Sequence, residues 1–395
     1  MLVNGEPVLS CGYTVNDDIT VVFTGSDQLM ATGNNVPQRN ENSAGSLPAE
    51  PAPTCRSGNT GVKTKVDSEK GTPVLGIAFD LGTTGLSACL LDITIGDNLG
   101  TASRLNPQCR FGGDVLTRIA YCRDNEGGLE ALRNLVYGEL SSIADELLQA
   151  GGYETDCVYK VAVAGNTTML HIFAGVSPET ISYYPYEPVF TDPVKLSDLP
   201  IPINPAGVVT LLPSVSGYIG GDITAGLAAV DFLNTETTAL FIDIGTNGEM
   251  VLARNNSFYA ASTAAGPALE GMSITCGTRA VPGAIEHVSV TNGELRFDVI
   301  GEGTPVGICG SGLIDLTACL LEIGIIDSSG KLDTSGHGVH DKKYYLTETI
   351  YISQKDIRQI QLAKSAIASG IQLLLKASGA ECGELEQIYI AGSFG

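Results

Sequence analysis

One heptad occurs twice in this chain, and it constrains the fold more than any other feature. Phe79-Asp80-Leu81-Gly82-Thr83-Thr84-Gly85 is matched by Ile242-Asp243-Ile244-Gly245-Thr246-Asn247-Gly248, 163 residues further on. In each copy an apolar strand ends in Asp, a Gly-Thr turn follows, and a second apolar strand leaves the turn. Two such strand–turn–strand units a domain's length apart predict a duplicated α/β architecture with a site between the halves. The competing reading is two ordinary hairpins in which Asp and Gly serve turn geometry alone.

The length fits a duplication. At 395 residues the chain exceeds what one core normally organises. Residues 25–72 contain no aromatic side chain and are rich in Ser, Asn, Gly, Pro and Thr. They cannot bury enough apolar surface to offset their ordering entropy and read as a flexible linker. Ahead of them, 1–24 is too short for a core and ends in the strand-like DDITVVF; it reads as the tail of a domain whose beginning is absent. Domains are therefore expected at 73–236 and 237–395, each α/β.

Within them the pattern alternates. VLGIAFDLGTTGLSACLLD is strand, turn, strand, and VYKVAVAG at 158–165 is a buried strand. NEGGLEALRNLVYGELSSIADELLQAGG carries Leu and Ile at helical spacing and stops at Gly-Gly. SQKDIRQIQLAKSAIASGIQLLLKASG at 353–379 opens on a Ser suited to cap a helix, and EQIYIAGSFG ends the chain as strand and glycine turn.

With 22 Lys+Arg against 44 Asp+Glu the net charge is −22, which disfavours nucleic acid or an anionic membrane as a bulk partner. No apolar run reaches the roughly 18 residues of a membrane helix, and Met1–Ser10 lacks a signal-peptide pattern. The 10 cysteines are dispersed without a CxxC, which points to reduced thiols in a cytoplasmic protein. A local phosphate pocket needs none of the missing basic residues. The N–H groups of Gly82, Thr83 and Thr84 with two hydroxyls can cradle phosphate oxygens. Asp80 at the strand tip can hold Mg²⁺, which favours one or two carboxylates plus substrate phosphates. Asp243, Gly245, Thr246 and Asn247 repeat the set. A nucleotide polyphosphate with Mg²⁺ is the expected ligand.

These motifs resemble the sugar kinase, Hsp70 and actin (ASKHA) superfamily: GIAFDLGTTG its first phosphate loop, ALFIDIGTNG its second, IYIAGSFG with Gly392 and Ser393 its adenosine motif. The narrower resemblance is to the ATP-dependent reductive activators of corrinoid proteins. It rests on NPQCRFGGDVLTRI (106–119), VAGNTTMLH (163–171), SGYIGGDITAG (216–226), GICGSGLID (307–315) and KDIRQIQLAKSAI (355–367), and covers nearly all of 73–395. It implies a two-lobed, ribonuclease H-like ATPase core. The implied activity uses ATP to return a Co(II) corrinoid protein to Co(I), reactivating a corrinoid-dependent methyltransferase. Asp80 and Asp243 would organise Mg²⁺ and the phosphates, and Lys364 would lie on the helix beside the adenosine. The implied partner is a corrinoid iron–sulfur protein or methyltransferase subunit, with a homodimer left open. Such activators also carry an N-terminal [2Fe–2S] ferredoxin domain. LSCGYTVNDDITVVF resembles its end, with Cys11 as the fourth ligand and the other three absent. The chain is thus expected to begin inside that domain and to stop just after the adenosine motif. Rival readings on the same fold are a small-molecule kinase, for which no catalytic base stands out, and a nucleotide-switched scaffold like actin.

Other residues carry structural and functional readings side by side. Asp222 caps the helix begun by DITAGLAAVDFL or lies near the metal, the cap being preferred. Glu249 orients water or faces solvent, the latter preferred. Gly310-Ser311-Gly312 offers N–H groups to phosphate or packs a turn on a strand. Asn166 and Thr167 line the site or form an Asx turn. Cys276 and Cys309, in glycine-rich turns, are read as buried thiols rather than cluster ligands, and His337 and His340 as a solvated loop.

Overall fold

Large side chains on one face of a sheet and small ones on the other organise the first half of the molecule. A computed structural model describes residues 73–392 except 198, 292, 302 and 337, with three short N-terminal strands, β1 (Leu2–Val3), β2 (Glu6–Pro7) and β3 (Val21–Val22), paired antiparallel in the order β2-β1-β3. The linker of 25–72, Cys11, His337 and Ser393 lie outside the described residues. The chain divides into two compact units, one ending at Asp231 and the other starting again at Phe232.

The first unit is built on β4 (Leu75–Leu81), β5 (Gly85–Asp92) and β6 (Asp97–Leu105), an antiparallel meander, followed by β7 (Val158–Gly165), β8 (Val194–Leu196) and β9 (Val208–Leu211). The sheet order is β6-β5-β4-β7-β9-β8, with β7 parallel to β4 and β9 parallel to β7. Leu75, Ile77, Phe79 and Leu81 of β4 alternate inward with Leu86 and Leu90 of β5 and Val161 and Val163 of β7, all buried in one core. Helix α2 (Gly128–Gly151) seals that face with Leu132, Val136, Leu140, Ile143 and Leu147, and stops at Gly152 in a left-handed cap, φ 68°. Two shorter helices, α1 (Val115–Asp124) and α3 (Thr167–Ala174), pack on α2. Alternation puts Gly76, Ala78, Asp80, Ser87, Cys89, Ala162 and Ala164 on the other face. There a cavity of about 520 Å³ is lined by Asp80, Ser87, Cys89, Ser103, Ala164 and Ala225 among others.

The last helix of this unit, α4 (Gly221–Ala229), corrects the expectation for Asp222. Its N-cap is Gly220, and Asp222 is already inside the helix, accepting from the Ile223 N–H at 2.8 Å. The helix starts early because the chain grazes β7: a Cβ on Gly220 would lie 2.5 Å from Asn166 Cα and 2.6 Å from the Gly165 carbonyl oxygen.

The second unit repeats the plan. β10 (Ala239–Ile244), β11 (Gly248–Arg254) and β12 (Ser257–Thr263) form an antiparallel meander, and β19 (Gln387–Gly392) lies parallel beside β10, giving β12-β11-β10-β19. That order matches β6-β5-β4-β7, so the duplicated heptad reflects duplicated topology. Between β12 and β19 come β13 (Ala284–Thr291), β14 (Glu294–Val299) and β15 (Gly307–Ile308) in one sheet, α5 (Gly310–Glu322), the small sheet β16 (Val339–His340), β17 (Lys343–Tyr345) and β18 (Tyr351–Ser353), and α6 (Gln354–Ser378). Helix α6 packs on β11 and β12, with Leu374 in the cluster of Leu240, Ile242, Met250 and Leu252. As expected, Ser353 caps α6, in a box with Asp356. Asp356 is 1% exposed and accepts four hydrogen bonds: Ser353 N and Thr275 N at 2.8 Å, Ser353 Oγ at 2.6 Å and Thr275 Oγ1 at 3.0 Å. No described helix is long and apolar enough to cross a membrane.

Candidate functional site

The first turn, residues 82–84, is held by its carbonyls. Asn106 donates from Nδ2 to the Gly82 oxygen at 2.8 Å and from its backbone to the Thr84 oxygen at 2.9 Å, and Arg118 Nη2 donates to the Thr83 oxygen. In a trans peptide the C=O of one residue and the N–H of the next point in opposite directions. With the carbonyls of 82, 83 and 84 tied to the protein, the N–H groups of Thr83, Thr84 and Gly85 are aimed the other way. That is the arrangement of a backbone anion nest. Gly82 must be glycine, because a Cβ there would lie 2.6 Å from the Gly85 oxygen. Asn166, after β7, accepts from Met169 N at 3.0 Å as the cap of α3 and donates from Nδ2 to Thr83 Oγ1 at 2.8 Å. It is therefore both an Asx cap and a residue of the turn's surroundings.

Asp80 ends β4 on the small-residue face, opposite Ser87 on β5 and Ala164 on β7. Its carboxyl makes no hydrogen bond or ion pair with the described residues. Water reaches it, yet the protein crowds it, and this desolvation raises its pKa above the ordinary carboxylate value. A carboxylate so placed is stabilised by a cation. Among the described residues no three His, Cys, Asp or Glu gather into a metal cage.

The second turn, 245–247, differs from the first. On β10 and β11 Asp243 pairs with Glu249 and Ile244 with Gly248, whereas on β4 and β5 Asp80 pairs with Ser87 and Leu81 with Leu86. Aligning the heptads shows the second hairpin shorter by one residue, which sets a carboxylate directly across from Asp243 on the same face. Glu249 is half-buried, and its Oε1 accepts from Ser262 Oγ at 3.2 Å, so it is not the solvent-facing carboxylate expected. Gly245 N donates to the Asn247 oxygen at 2.9 Å, and Thr246 Oγ1 donates to Glu270 Oε2 at 3.0 Å. Glu270 closes a short 3₁₀ turn, Pro267–Glu270, between Gly266 and Gly271 at φ 74° and 76°. Gly392 sits beside Ile244 in register, φ 82°; a Cβ on it would come within 2.7 Å of Asp243 Oδ1. Lys364 is exposed on α6, one turn before Ile367, whose side chain lies against Gly248.

Sequence reasoning missed Asn106, Arg118 and Glu270. Arg118 is wholly buried, a rare fate for Arg. The signal was an Arg inside the otherwise apolar helical run VLTRIAY. Gly310-Ser311-Gly312 takes its packing reading: a Cβ on Gly312 would meet the Ile285 oxygen at 2.3 Å, and Ser311 Oγ donates to the Glu286 carbonyl at 2.8 Å. Cys309 is a buried thiol as expected, Cys276 is only half-buried, and His340 is exposed.

Comparison with known proteins matches residues 75–235 to the RACo middle region and residues 237–395 to the C-terminal domain of RACo, the ASKHA domain. The chain is 38% identical over 362 residues to the corrinoid activation enzyme RamQ of Eubacterium limosum, covering 86% of this chain and 61% of that protein. It is 27% identical over 364 residues to a Co(II) methylated amine-specific corrinoid protein reductase of Methanosarcina barkeri, covering 81% and 63%. A solved structure of a reductive activator for corrinoid, iron–sulfur protein superposes with a TM-score of 0.76 at 38% identity, over 83% of this chain and 55% of that one. The chain thus spans about 61–63% of the length of these curated relatives.

Proposed function

Because this chain belongs to the RACo family of corrinoid-protein activators and has its ASKHA fold, we propose that it binds MgATP and that the nucleotide drives reduction of a Co(II) corrinoid protein to Co(I). The observation that carries the nucleotide half is the first turn: carbonyls of 82–84 bound inward, N–H groups directed outward, and the partnerless Asp80 carboxyl beside them. The amides of Thr83, Thr84 and Gly85 would bind phosphate oxygens. Asp80 and Asp243 would hold Mg²⁺ through its water shell, with Asn247, Gly392, Ser393 and Lys364 as further nucleotide contacts. Bound Mg²⁺ would screen the phosphate charge and lock the polyphosphate geometry.

The names of the relatives support the corrinoid half. Reduction adds one electron to Co(II), and that electron must come from a low-potential donor; a [2Fe–2S] domain is the proposed entry point. ATP contributes by binding two states of the activator unequally, since a ligand with equal affinity for both shifts nothing. The test has two arms. Calorimetry should detect MgATP binding to this chain, lost in Asp80→Asn and Asp243→Ala; unchanged affinity in both variants removes the two carboxylates from the site. The Co(I) absorbance of a corrinoid protein, followed with the activator under a fixed reductant, should rise with ATP but not with a non-hydrolysable analogue. Equal Co(I) yield with and without ATP would refute the coupling.

A further inference from the structure

Arg118 is a buried cation without a carboxylate. Its relative exposure is 0%, and no Asp or Glu of the described residues lies within ion-pair distance of it. All five N–H groups are nonetheless engaged: Nε with the Gly112 oxygen at 3.0 Å, Nη1 with Gln108 Oε1 at 3.0 Å and Met169 Sδ at 3.1 Å, Nη2 with the Thr83 oxygen and with Cys109 Sγ at 3.6 Å. The acidic groups that face it are the Cys109 thiol at 3.6 Å and, beyond ion-pair range, Asp114 at the cap of α1. Hydrogen bonding is satisfied while no carboxylate neutralises the charge. A buried charge without a carboxylate costs the free protein desolvation energy, which the hydrogen bonds offset only in part.

The position of the guanidinium gives that cost a purpose. It lies on the inward side of the Thr83–Thr84 peptide, and the Thr84 N–H is on the outward side of the same planar group. A cation on the carbonyl polarises the amide, making its N–H a stronger donor, and its own field adds to that of the turn in a poorly solvated place. We infer that Arg118 is a positioning residue for polyphosphate: it fixes the Thr83 carbonyl and supplies, through one peptide group, the positive charge that the turn's surface lacks. This rests on the reading of the first turn as a phosphate site and explains how a chain of net charge −22 gathers a polyanion with no exposed Lys or Arg in the Asp80–Gly85 turn.

Charge dependence separates this role from simple support of the fold. Dissociation constants for ATP, ADP, AMP and tripolyphosphate are measured by calorimetry on wild type, Arg118→Gln and Arg118→Lys, with melting temperatures of the ligand-free proteins. Arg118→Gln should bind ATP and tripolyphosphate on the order of tenfold more weakly, ADP less affected and AMP least, and its ligand-free melting temperature should fall, because the Gly112 and Thr83 carbonyls lose their donors. Arg118→Lys keeps the charge and should keep the wild-type ATP-to-AMP affinity ratio within about threefold, which decides the matter if the Gln variant fails to fold. Equal losses for ATP, ADP and AMP, or an ATP-to-AMP ratio that collapses in Arg118→Lys as in Arg118→Gln, would overturn the inference and leave the phosphate site standing. A wild-type chain that binds neither ATP nor tripolyphosphate would refute both.

Discussion

Asn166 joins a helix cap and the first turn in one side chain, and Asn166→Asp pulls the two roles apart. The Oδ1 that accepts from Met169 N at 3.0 Å survives the change, and Asp caps as well as Asn with a small bonus from the helix dipole. Stability should therefore stay within about 0.5 kcal/mol of wild type. The Nδ2 donor to Thr83 Oγ1 at 2.8 Å is lost, and the Thr83 hydroxyl must turn to donate to the new carboxylate. A negative charge then stands beside the Thr83 hydroxyl and repels an anion on the turn; for unit charges taken at about 7 Å and an effective dielectric near 20 this is about 2.4 kcal/mol, or about 50-fold in affinity. Asn166→Ala makes the contrast: it forfeits the cap, about 1 kcal/mol, and the Thr83 tie, about another 1 kcal/mol. Urea unfolding and ATP calorimetry on the three proteins read the two quantities independently. If Asn166→Asp binds ATP within threefold of wild type, or loses stability as Asn166→Ala does, the geometry assigned to the turn is wrong.

Three further outcomes are expected. Asp356→Ala leaves the Thr275 and Ser353 N–H donors buried beside a missing carboxylate and should cost about 3–4 kcal/mol in chemical denaturation; a loss under about 1 kcal/mol would mean that water replaces the carboxylate. His171 is buried, its Nε2 accepting from Val189 N at 3.0 Å and its Nδ1 facing the Thr167 oxygen at 2.8 Å, so it is neutral with the proton on Nδ1, and burial lowers its pKa below the ordinary value. The unfolded chain then binds the proton more readily, so stability should fall as pH drops below about 6.5, with a slope of up to about 1.4 kcal/mol per pH unit; an unaltered pH profile in His171→Gln would exclude that source. Gly392→Ala forces a Cβ to within 2.4 Å of the Ile244 oxygen at positive φ and should cost about 2 kcal/mol, with weaker ATP binding; a neutral effect in thermal melts and calorimetry would show that β19 yields at its end.

Repetition made the fold legible. Strand alternation in LGIAFDL and ALFIDI, the Ser353 cap and the Gly151-Gly152 stop are local signals, and the structure places each where the residues put it. What lay beyond the sequence was non-local. Asn106 reaches Gly82 across 24 residues, Arg118 reaches Thr83 across 35 and Glu270 reaches Thr246 across 24, and no periodicity encodes which polar residue will meet a given carbonyl. Asp222 was misplaced for a similar reason. Its helix begins at Gly221 because Gly220 fits against Gly165 and Asn166, a packing constraint from a strand 55 residues upstream by number.

The sharpest limit is the register of the second hairpin, and it changes the chemistry. Residue by residue the two heptads match, so Glu249 aligns with Leu86, a core residue. One residue fewer between paired positions moves Glu249 onto the face of Asp243, because strand side chains alternate with a period of two. With Glu270 holding Thr246, the surroundings of the second turn are acidic, while Arg118 stands behind the first. Cross-strand carboxylates repel each other unless a cation or proton intervenes, and a backbone nest backed by a guanidinium attracts an anion. The same heptad thus yields two unlike electrostatic environments. On the proposed reading, the first turn binds phosphate oxygens and the carboxylates at the second favour the hydrated metal. Glu249→Gln provides the discriminating case: it removes one of the two paired carboxylates beside the second turn and leaves the sequence of the first turn as it is. It should weaken Mg²⁺-dependent ATP binding while leaving metal-free tripolyphosphate binding unchanged, and equal effects on both would show that the two turns do not divide the work.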